Sequence, residues 1–288
     1  AETRGVPARS VKLLTGVDAT RDEMLDAVRA VADKAGPDGT LWFVFIGHGA
    51  PSKDGQDGML VAVDAQQKAK SLERYSLKRG ELLKALSQTK AGSIRVVLDA
   101  CFSGRLEDGG SVAPGLQPLV AVSLAGPADP RMVVLTAAKG DQFAGALPGT
   151  KRPAFSYLVL GGLRGWAAEG KKAALTAGDL WRYAGDALQA TLRGRNQTPD
   201  LLGKEDAVFG VSAGEKGPSL TGLAKATAGG GSIEFKVSAL PEVPKASMPS
   251  LSAMGGLPRV QVPGDIGTSQ GIDFGSVDVD ALGKYDEA

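Results

Sequence analysis

The chain has 288 residues, and 43% of them are apolar, which is enough for one large domain, or for a domain with an appendage. Its 33 basic and 32 acidic residues leave a formal net charge of +1. That balance gives no electrostatic reason to expect nucleic acid or an anionic membrane as a partner. A single cysteine and a single histidine exclude an intrachain disulfide, and also a zinc site built from several Cys and His ligands.

The chain carries no signal that assigns it to a compartment. No apolar run approaches the roughly 18 residues needed to span a bilayer, and no secretory signal opens the chain. Because the first residue is Ala1 and not Met, a start further upstream with a removed signal peptide stays open. We leave the localisation unknown: the cytoplasm is favoured, and secretion or a periplasmic location requires such a removed peptide.

Short apolar runs alternate with amphipathic segments through residues 1–215, which predicts a parallel sheet covered by helices on both faces. Residues 11–14 indicate a strand, and Thr20 with Glu23 forms a capping box that opens a helix ending near Gly36. The nearly continuous apolar run 41–46 is typical of a strand buried on both faces. The other predicted strands are 59–63, 94–98 and 132–135, and the other predicted helices are 81–86, 155–168 and 176–193.

Residues 216–288 differ from the rest because they are rich in Gly, Pro and Ser, which predicts an irregular C-terminal extension. Within them, residues 233–237 alternate like a strand that could add to a sheet edge. The acidic stretch 277–280 has calcium-like composition, but it lacks the Gly and the final Glu of an EF-hand loop. A solvated acidic tail is the favoured interpretation.

Two predicted strands end in residues that could carry chemistry. His48 lies between two glycines after the run 41–46, and Cys101 follows the run 94–98. Alone, such a Cys is more often a small core residue and such a His a structural one. Because ligands bind beyond the carboxyl ends of parallel strands, we expect the two side chains to meet at one sheet edge.

A thiol and an imidazole at that edge would form a nucleophilic pair. The imidazole of His48 takes the thiol proton, the thiolate of Cys101 attacks a peptide carbonyl, and the imidazolium protonates the leaving amine. The developing oxyanion needs fixed donors, and the backbone N–H groups of Gly49 and Cys101 are the candidates.

These segments resemble the caspase-like domain of metacaspases and bacterial orthocaspases. The resemblance rests on 41–49 (LWFVFIGHG), 58–64 (GMLVAVD) and 96–104 (VVLDACFSG), and it extends to 136–138 and 197–199. It covers roughly residues 6–212. It implies an α/β, three-layer caspase-like fold over 1–215, with a mostly parallel central sheet flanked by helices and the irregular extension 216–288 behind it.

The resemblance also implies a dyad of Cys101 and His48 and an acidic pocket for the substrate side chain before the cut bond (P1). Asp99 matches the pocket residue of metacaspases, so we expect cleavage after Arg, then Lys, and not after Asp. The competing role for Asp99 is a structural carboxylate that caps the Cys turn. Asp141 is a second pocket candidate, with a solvated loop acid as its alternative. The resemblance implies no cofactor, and it leaves calcium open as an activator.

The chain departs from the family near its start, because the first strand and helix of the fold are missing before residues 11–14. We therefore expect its own cleaved N-terminal segment to stay bound as a partner, beside protein or peptide substrates with a basic P1. Residues 105–131 match the intersubunit linker of caspases, and Arg105 and Arg131 are candidate self-cleavage sites, with an uncut surface loop as the alternative.

Three other functions compete with a peptidase. The first is a catalytically silent caspase-like interaction module. The second is an acyl- or thiol-transfer enzyme that uses the same dyad on an α/β scaffold. The third, a serine hydrolase, has little support because the chain has no Gly-x-Ser-x-Gly elbow.

Overall fold

The apolar runs of the sequence become the strands of three sheets. The structure is a computed structural model that describes residues 6–32, 34–104, 127–139, 142–148, 152–171, 173–192 and 196–218. The strands are β1 (Thr40–Ile46), β2 (Gly49–Pro51), β3 (Gly58–Leu60), β4 (Leu77–Lys78), β5 (Ser93–Asp99), β6 (Met132–Thr136), β7 (Ala174–Thr176), β8 (Asp200–Leu202) and β9 (Val208–Val211). The α-helices are α1 (Arg21–Ala32), α2 (Ala69–Tyr75), α3 (Arg79–Ser87), α4 (Ala154–Arg164) and α5 (Ala177–Thr191).

The main sheet has four strands in the order β1-β5-β6-β8. β1, β5 and β6 run parallel, and β8 pairs antiparallel with β6. β2, β3 and β4 form a small antiparallel sheet, and β7 pairs with β9. Within the described ranges, the mostly parallel central sheet confirms the predicted fold class.

Each face of the main sheet packs against a pair of helices. On one face, Ile94 and Val96 of β5 join a core with apolar residues of α1 and α3. On the other face, Val97 joins a core with residues of α4 and α5, such as Phe155 and Leu180. This alternation follows from the two-residue period of a strand, and it makes the three layers that the sequence predicts.

β1 is the edge strand of this sheet, so the prediction that it is buried on both faces is wrong for one face. It pairs with β5, and no second partner strand lies among the described residues. Trp42, Val44 and Ile46 are 39%, 54% and 55% exposed, although they lie on the face that α4 and α5 cover further along the sheet. An apolar run alone cannot distinguish a central strand from an edge strand.

Two further predictions are corrected at element ends. Residues 11–14 form no strand; they are irregular chain between the short 3-10 helices Ala8–Ser10 and Gly16–Asp18. The helix predicted over 155–168 stops at Arg164, because Gly165 adopts a φ of 137° and packs tightly against the backbone of Glu215. A 3-10 turn follows over Trp166–Ala168.

The capping side chain predicted for α1 is confirmed, since Glu23 N donates to Thr20 Oγ1 at 3.2 Å. The strand predicted over 233–237 and the acidic stretch 277–280 lie outside the described residues. No helix in the described ranges has the length and apolar content needed to cross a bilayer.

The loop between β2 and β3 is held by an ion pair between its own Asp57 and Arg79 of α3. Asp57 accepts from Arg79 Nε at 3.2 Å and from the backbone N–H groups of Gly58 and Gly80, each at 2.8 Å. Arg79 is only 6% exposed. Gly58 in turn lies directly against the ring of Phe102, the residue after Cys101, so this pair supports the surroundings of the thiol.

We expect Asp57→Ala to destabilise the fold strongly, because it leaves the buried guanidinium of Arg79 without its carboxylate. The free energy of unfolding should fall by about 3 kcal/mol, measured by urea denaturation. Asp54→Ala is the matched control, since Asp54 is an exposed acid of the same loop that bonds only to loop atoms in the described contacts. Equal losses for the two variants would contradict the role given to the Asp57–Arg79 pair.

Candidate active site

His48 and Cys101 lie at equivalent positions beyond two paired strands. Ile46 at the end of β1 is in register with Asp99 at the end of β5, and Gly47 N donates to Asp99 O at 3.1 Å. His48 and Cys101 each follow two residues after that register pair. Parallel pairing therefore brings the only imidazole and the only thiol of the chain to one edge of the sheet.

Gly49 brings the backbone after the histidine into contact with the backbone of the cysteine. A Cβ at Gly49 would lie 2.3 Å from Cys101 O, so a side chain has no room there. Gly49 and Leu60 form a pair in the β2–β3 ladder, in which Val61 N donates to His48 O at 2.9 Å. His48 and Val61 thus form a hydrogen-bonded pair, and Gly49 and Leu60 form the next, non-hydrogen-bonded pair. In a non-hydrogen-bonded pair the N–H points away from the partner strand, so the N–H of Gly49 is not used by β3.

The two candidate side chains differ in exposure. His48 is exposed, whereas Cys101 is half-buried. The Cys101 thiol donates to Ala144 O at 2.8 Å and accepts from Ala144 N at 2.9 Å. The sulfur thus lies against the backbone of a segment that follows β6.

Asp99 lies just before the cysteine and is 6% exposed. Its Oδ2 accepts from Ser156 N, in the first turn of α4, at 2.7 Å. A helix N-terminus favours a negative charge, so this contact stabilises the carboxylate form. Asp99 thus joins the end of β5 to the first turn of α4.

Asp141 lies outside the described residues, as do residues 105–126 of the predicted linker. Arg131 lies at the start of β6. Its guanidinium pairs with Asp129 at 2.6 Å and donates to the carbonyls of Ser87, Thr89 and Ala91. The same guanidinium lowers the pKa of the Asp129 carboxyl. These contacts tie Arg131 to the fold.

No set of three or more His, Cys, Asp or Glu side chains that could hold a metal ion occurs in the part of the chain that the structure describes. Asp57, the half-buried acid of the loop between β2 and β3, forms an ion pair with Arg79.

Sequence reasoning missed the contact between Cys101 and Ala144. Ala144 takes part through its backbone N–H and C=O, which every non-proline residue has, so its identity carries no signal. The nearby Gln197 was noted only as part of the resemblance. Its burial, at 6% exposed, is unusual for a glutamine and could not be read from the pattern.

A family model described as "Peptidase_C14: Caspase domain" matches residues 10–204, which is more than half of the chain. A solved structure, that of caspase-1 from Spodoptera frugiperda, is similar with 14% identity and a TM-score of 0.40. That similarity covers 68% of this chain and 71% of the caspase-1 chain. No curated protein matches the sequence.

We expect Gly49→Ala to disturb the site and the fold together, because the added methyl overlaps the carbonyl of Cys101. The free energy of unfolding should fall by about 2 kcal/mol in urea denaturation. Gly185→Ala is a matched control, since nothing lies within 4 Å of a Cβ at this position of α5. That change should stabilise the chain by about 0.5–1 kcal/mol. A neutral Gly49→Ala would contradict the close approach to Cys101.

Proposed function

The chain belongs to the caspase-domain family of cysteine peptidases, and we propose that it is an active endopeptidase that cleaves after Arg and, more slowly, after Lys. The observation that carries the proposal is the register of β1 and β5, which sets His48 and Cys101 two residues beyond the same strand pair.

The proposed reaction uses Cys101 as the nucleophile and His48 as its acid–base partner. His48 takes the thiol proton, and the sulfur forms a bond to the carbonyl carbon of the substrate. When the C–N bond breaks, the imidazolium gives that proton to the leaving amine, and water then hydrolyses the thioester. The N–H groups of Gly49 and Cys101 are the proposed oxyanion donors, and the direction of the Gly49 N–H supports this role.

The preference for Arg rests on Asp99. This carboxylate is buried beside the cysteine, and the N-terminal turn of α4 stabilises its charge. A cationic P1 side chain that reached the same pocket would neutralise it, and a guanidinium could do so with two hydrogen bonds. An acidic P1 would instead place two carboxylates together. Asp141 is proposed as a second acid of the pocket, from the resemblance alone.

The second candidate function is a catalytically silent module that binds partners. The contact of the Cys101 thiol with Ala144 favours it, because a thiol held against backbone is not open to a substrate. One reagent can distinguish the active peptidase from the silent module. An electrophile with an arginyl recognition group should label Cys101 in an active peptidase and leave a silent module unlabelled.

We further propose that the enzyme is processed and keeps its own cleaved N-terminal segment as a bound partner. The outer edge of β1 supports this idea, because no strand among the described residues pairs with it, and an extended segment there would lie beside Trp42, Val44 and Ile46. Self-cleavage of the linker 105–131 would be a separate cut, and of its two candidate sites Arg105 is favoured. Cleavage after Arg131 would have to release the contacts that tie this residue to the start of β6.

We predict that peptides with Arg at P1 are cleaved faster than matched peptides with Lys, and that those with Asp are not cleaved. Asp99→Asn tests the cause, because the amide oxygen can still accept from Ser156 N while the charge is gone. The ratio of kcat/KM for Arg over an uncharged P1 should fall by about 10-fold or more in this variant.

Cys101→Ala is the control for that library, run with and without calcium because calcium stays open as an activator. The variant should cleave nothing. Faster cleavage after Asp than after Arg would overturn the role of Asp99, and residual cleavage by Cys101→Ala would overturn the nucleophile.

We predict that Arg105→Gln blocks self-cleavage of the linker. Incubation of the full chain should give two fragments that meet between residues 105 and 106, seen by intact-mass analysis, and the variant should stay whole. Lys90→Gln, which changes an exposed basic residue elsewhere, is the control and should be cut normally. An active chain that stays uncut would contradict the proposed self-cleavage of the linker.

A further inference from the structure

The candidate nucleophile lies against the chain's own backbone. Ala144 presents its carbonyl oxygen 2.8 Å and its nitrogen 2.9 Å from Cys101 Sγ. Attack on a substrate requires a carbonyl carbon at roughly 3–3.5 Å from the sulfur. The peptide groups around Ala144 therefore occupy space that a substrate peptide group needs.

The backbone of Ala144 also bonds the sulfur in both directions. Its carbonyl accepts the thiol proton, and its N–H donates to the same sulfur. The thiol is therefore held between two backbone groups, and a substrate must displace both before the sulfur can attack.

Two glutamines help to hold this backbone in place, beside main-chain bonds from Gln142 N to Lys139 O and from Ala154 N to Gly145 O. On one side of Ala144, Gln142 Nε2 donates to Thr198 Oγ1 at 3.2 Å, and Thr198 N donates to Gln142 Oε1 at 2.6 Å. On the other side, Gly145 N donates to Gln197 Oε1 at 3.3 Å.

Gln197 is itself anchored in the fold. It is 6% exposed, and its Nε2 donates to the carbonyl of Ala137, just beyond the end of β6. The backbone of the same region is tied once more, because Lys139 N donates to Thr198 O at 3.0 Å. Gln197 and Thr198, which hold the residues on either side of Ala144, thus belong to the frame beside β6 and β8.

We propose that residues 142–145, the Ala144 strap, form an autoinhibitory contact over Cys101, and that Gln197 is the positioning residue that keeps the strap closed. The proposal deepens the proposed peptidase function, on which it rests. Substrate binding, or a change that releases the strap, opens the site by breaking the contacts of Gln142, Ala144 and Gly145. Only hydrogen bonds are exchanged, and no covalent bond changes.

The chain offers a direct readout, because Cys101 is its only cysteine. Alkylation of the full chain by iodoacetamide, followed by intact mass, measures the accessibility and reactivity of that one thiol. We expect the native chain to react at least about 10-fold more slowly than the same chain in urea.

Gln197→Met is the informative variant, because it roughly keeps the side-chain volume and removes the amide bonds to Gly145 N and Ala137 O. Loss of these bonds should raise the native alkylation rate by about fivefold to tenfold. Gln142→Ala, at a less buried position, should raise it in the same direction and serves if Gln197→Met fails to fold. Gln88→Ala, an exposed glutamine after α3, is the control and should leave the rate unchanged.

A purely structural role for Gln197 predicts a different result, namely a lower melting temperature with an unchanged alkylation rate in the folded protein. Folded variants that react no faster than the unsubstituted chain overturn the strap. A native chain that reacts as fast as the unfolded chain overturns it too.

Peptide turnover separates this proposal from the peptidase assignment. If both hold, Gln197→Met lowers KM for the Arg peptide and leaves kcat unchanged, since a closed strap only reduces the fraction of binding-competent enzyme. Accelerated alkylation without any turnover would remove the peptidase function and keep the closed contact. Turnover with unchanged alkylation would keep the peptidase and remove the strap.

Discussion

The candidate site depends on one structural constraint, the parallel register between β1 and β5. Seven residue pairs define it, from Thr40 with Ser93 to Ile46 with Asp99. A strand rises about 3.3 Å per residue, so a shift of two residues would keep every side chain on its face and still move His48 by about 6.6 Å relative to Cys101. Side-chain burial alone therefore cannot determine the distance between His48 and Cys101. The loop after β1 adds the missing restraint, because Gly49 meets the carbonyl of Cys101 and leaves no room for a slip.

That register is supported unequally on the two sides of β1. β5 holds one side along the whole strand, and among the described residues no strand holds the other. On the exposed face, the ring of Phe209 meets Trp42 edge to face at 5.0 Å, and Arg95 lies over the ring of Phe209. These contacts end well before Val44 and Ile46, which remain exposed beside the histidine turn. The histidine is therefore carried by the less supported strand of the pair and the cysteine by the central one. An extended partner on β1 would stabilise the position of His48 more than that of Cys101.

The sequence predicts the layers and the two strand ends well, because both depend on local patterns. Ile94–Leu98 is apolar at every position but Arg95, and the glycines on both sides of His48 predict a turn. The sequence predicts poorly which strands lie next to each other in the sheet. The residues 11–14 have the composition of a strand, but strand formation also needs a partner at hydrogen-bonding distance, and composition does not supply one. The edge position of β1 fails for the same reason, since the pattern shows which residues avoid water and not which strand covers them. Arg95 is a charged residue whose burial the sequence pattern does not predict. Burial lowers its pKa, and its guanidinium donates to Val208 O, which is 113 residues further along the chain.

The strap over Cys101 belongs to a class of feature that sequence patterns cannot reveal, because its contacts with the sulfur are made by backbone. Its energetic scale explains how it could act as a switch. A hydrogen bond in a folded protein contributes a net of about 1 kcal/mol, so the few bonds of Gln142 and Gln197 bias the closed form by an amount that substrate binding can match. The buried anchor at Gln197 stays in place while the contacts on the thiol break, because its bond to Ala137 lies on the frame and not on the strap. Opening then breaks these few bonds and moves Ala144 off the apolar cluster that it borders, while Leu147, which lies beyond the strap and is 1% exposed, stays in the core. In the proposed peptidase, the register of β1 and β5 keeps His48 and Cys101 at one sheet edge, while the strap governs the access of a substrate to the thiol.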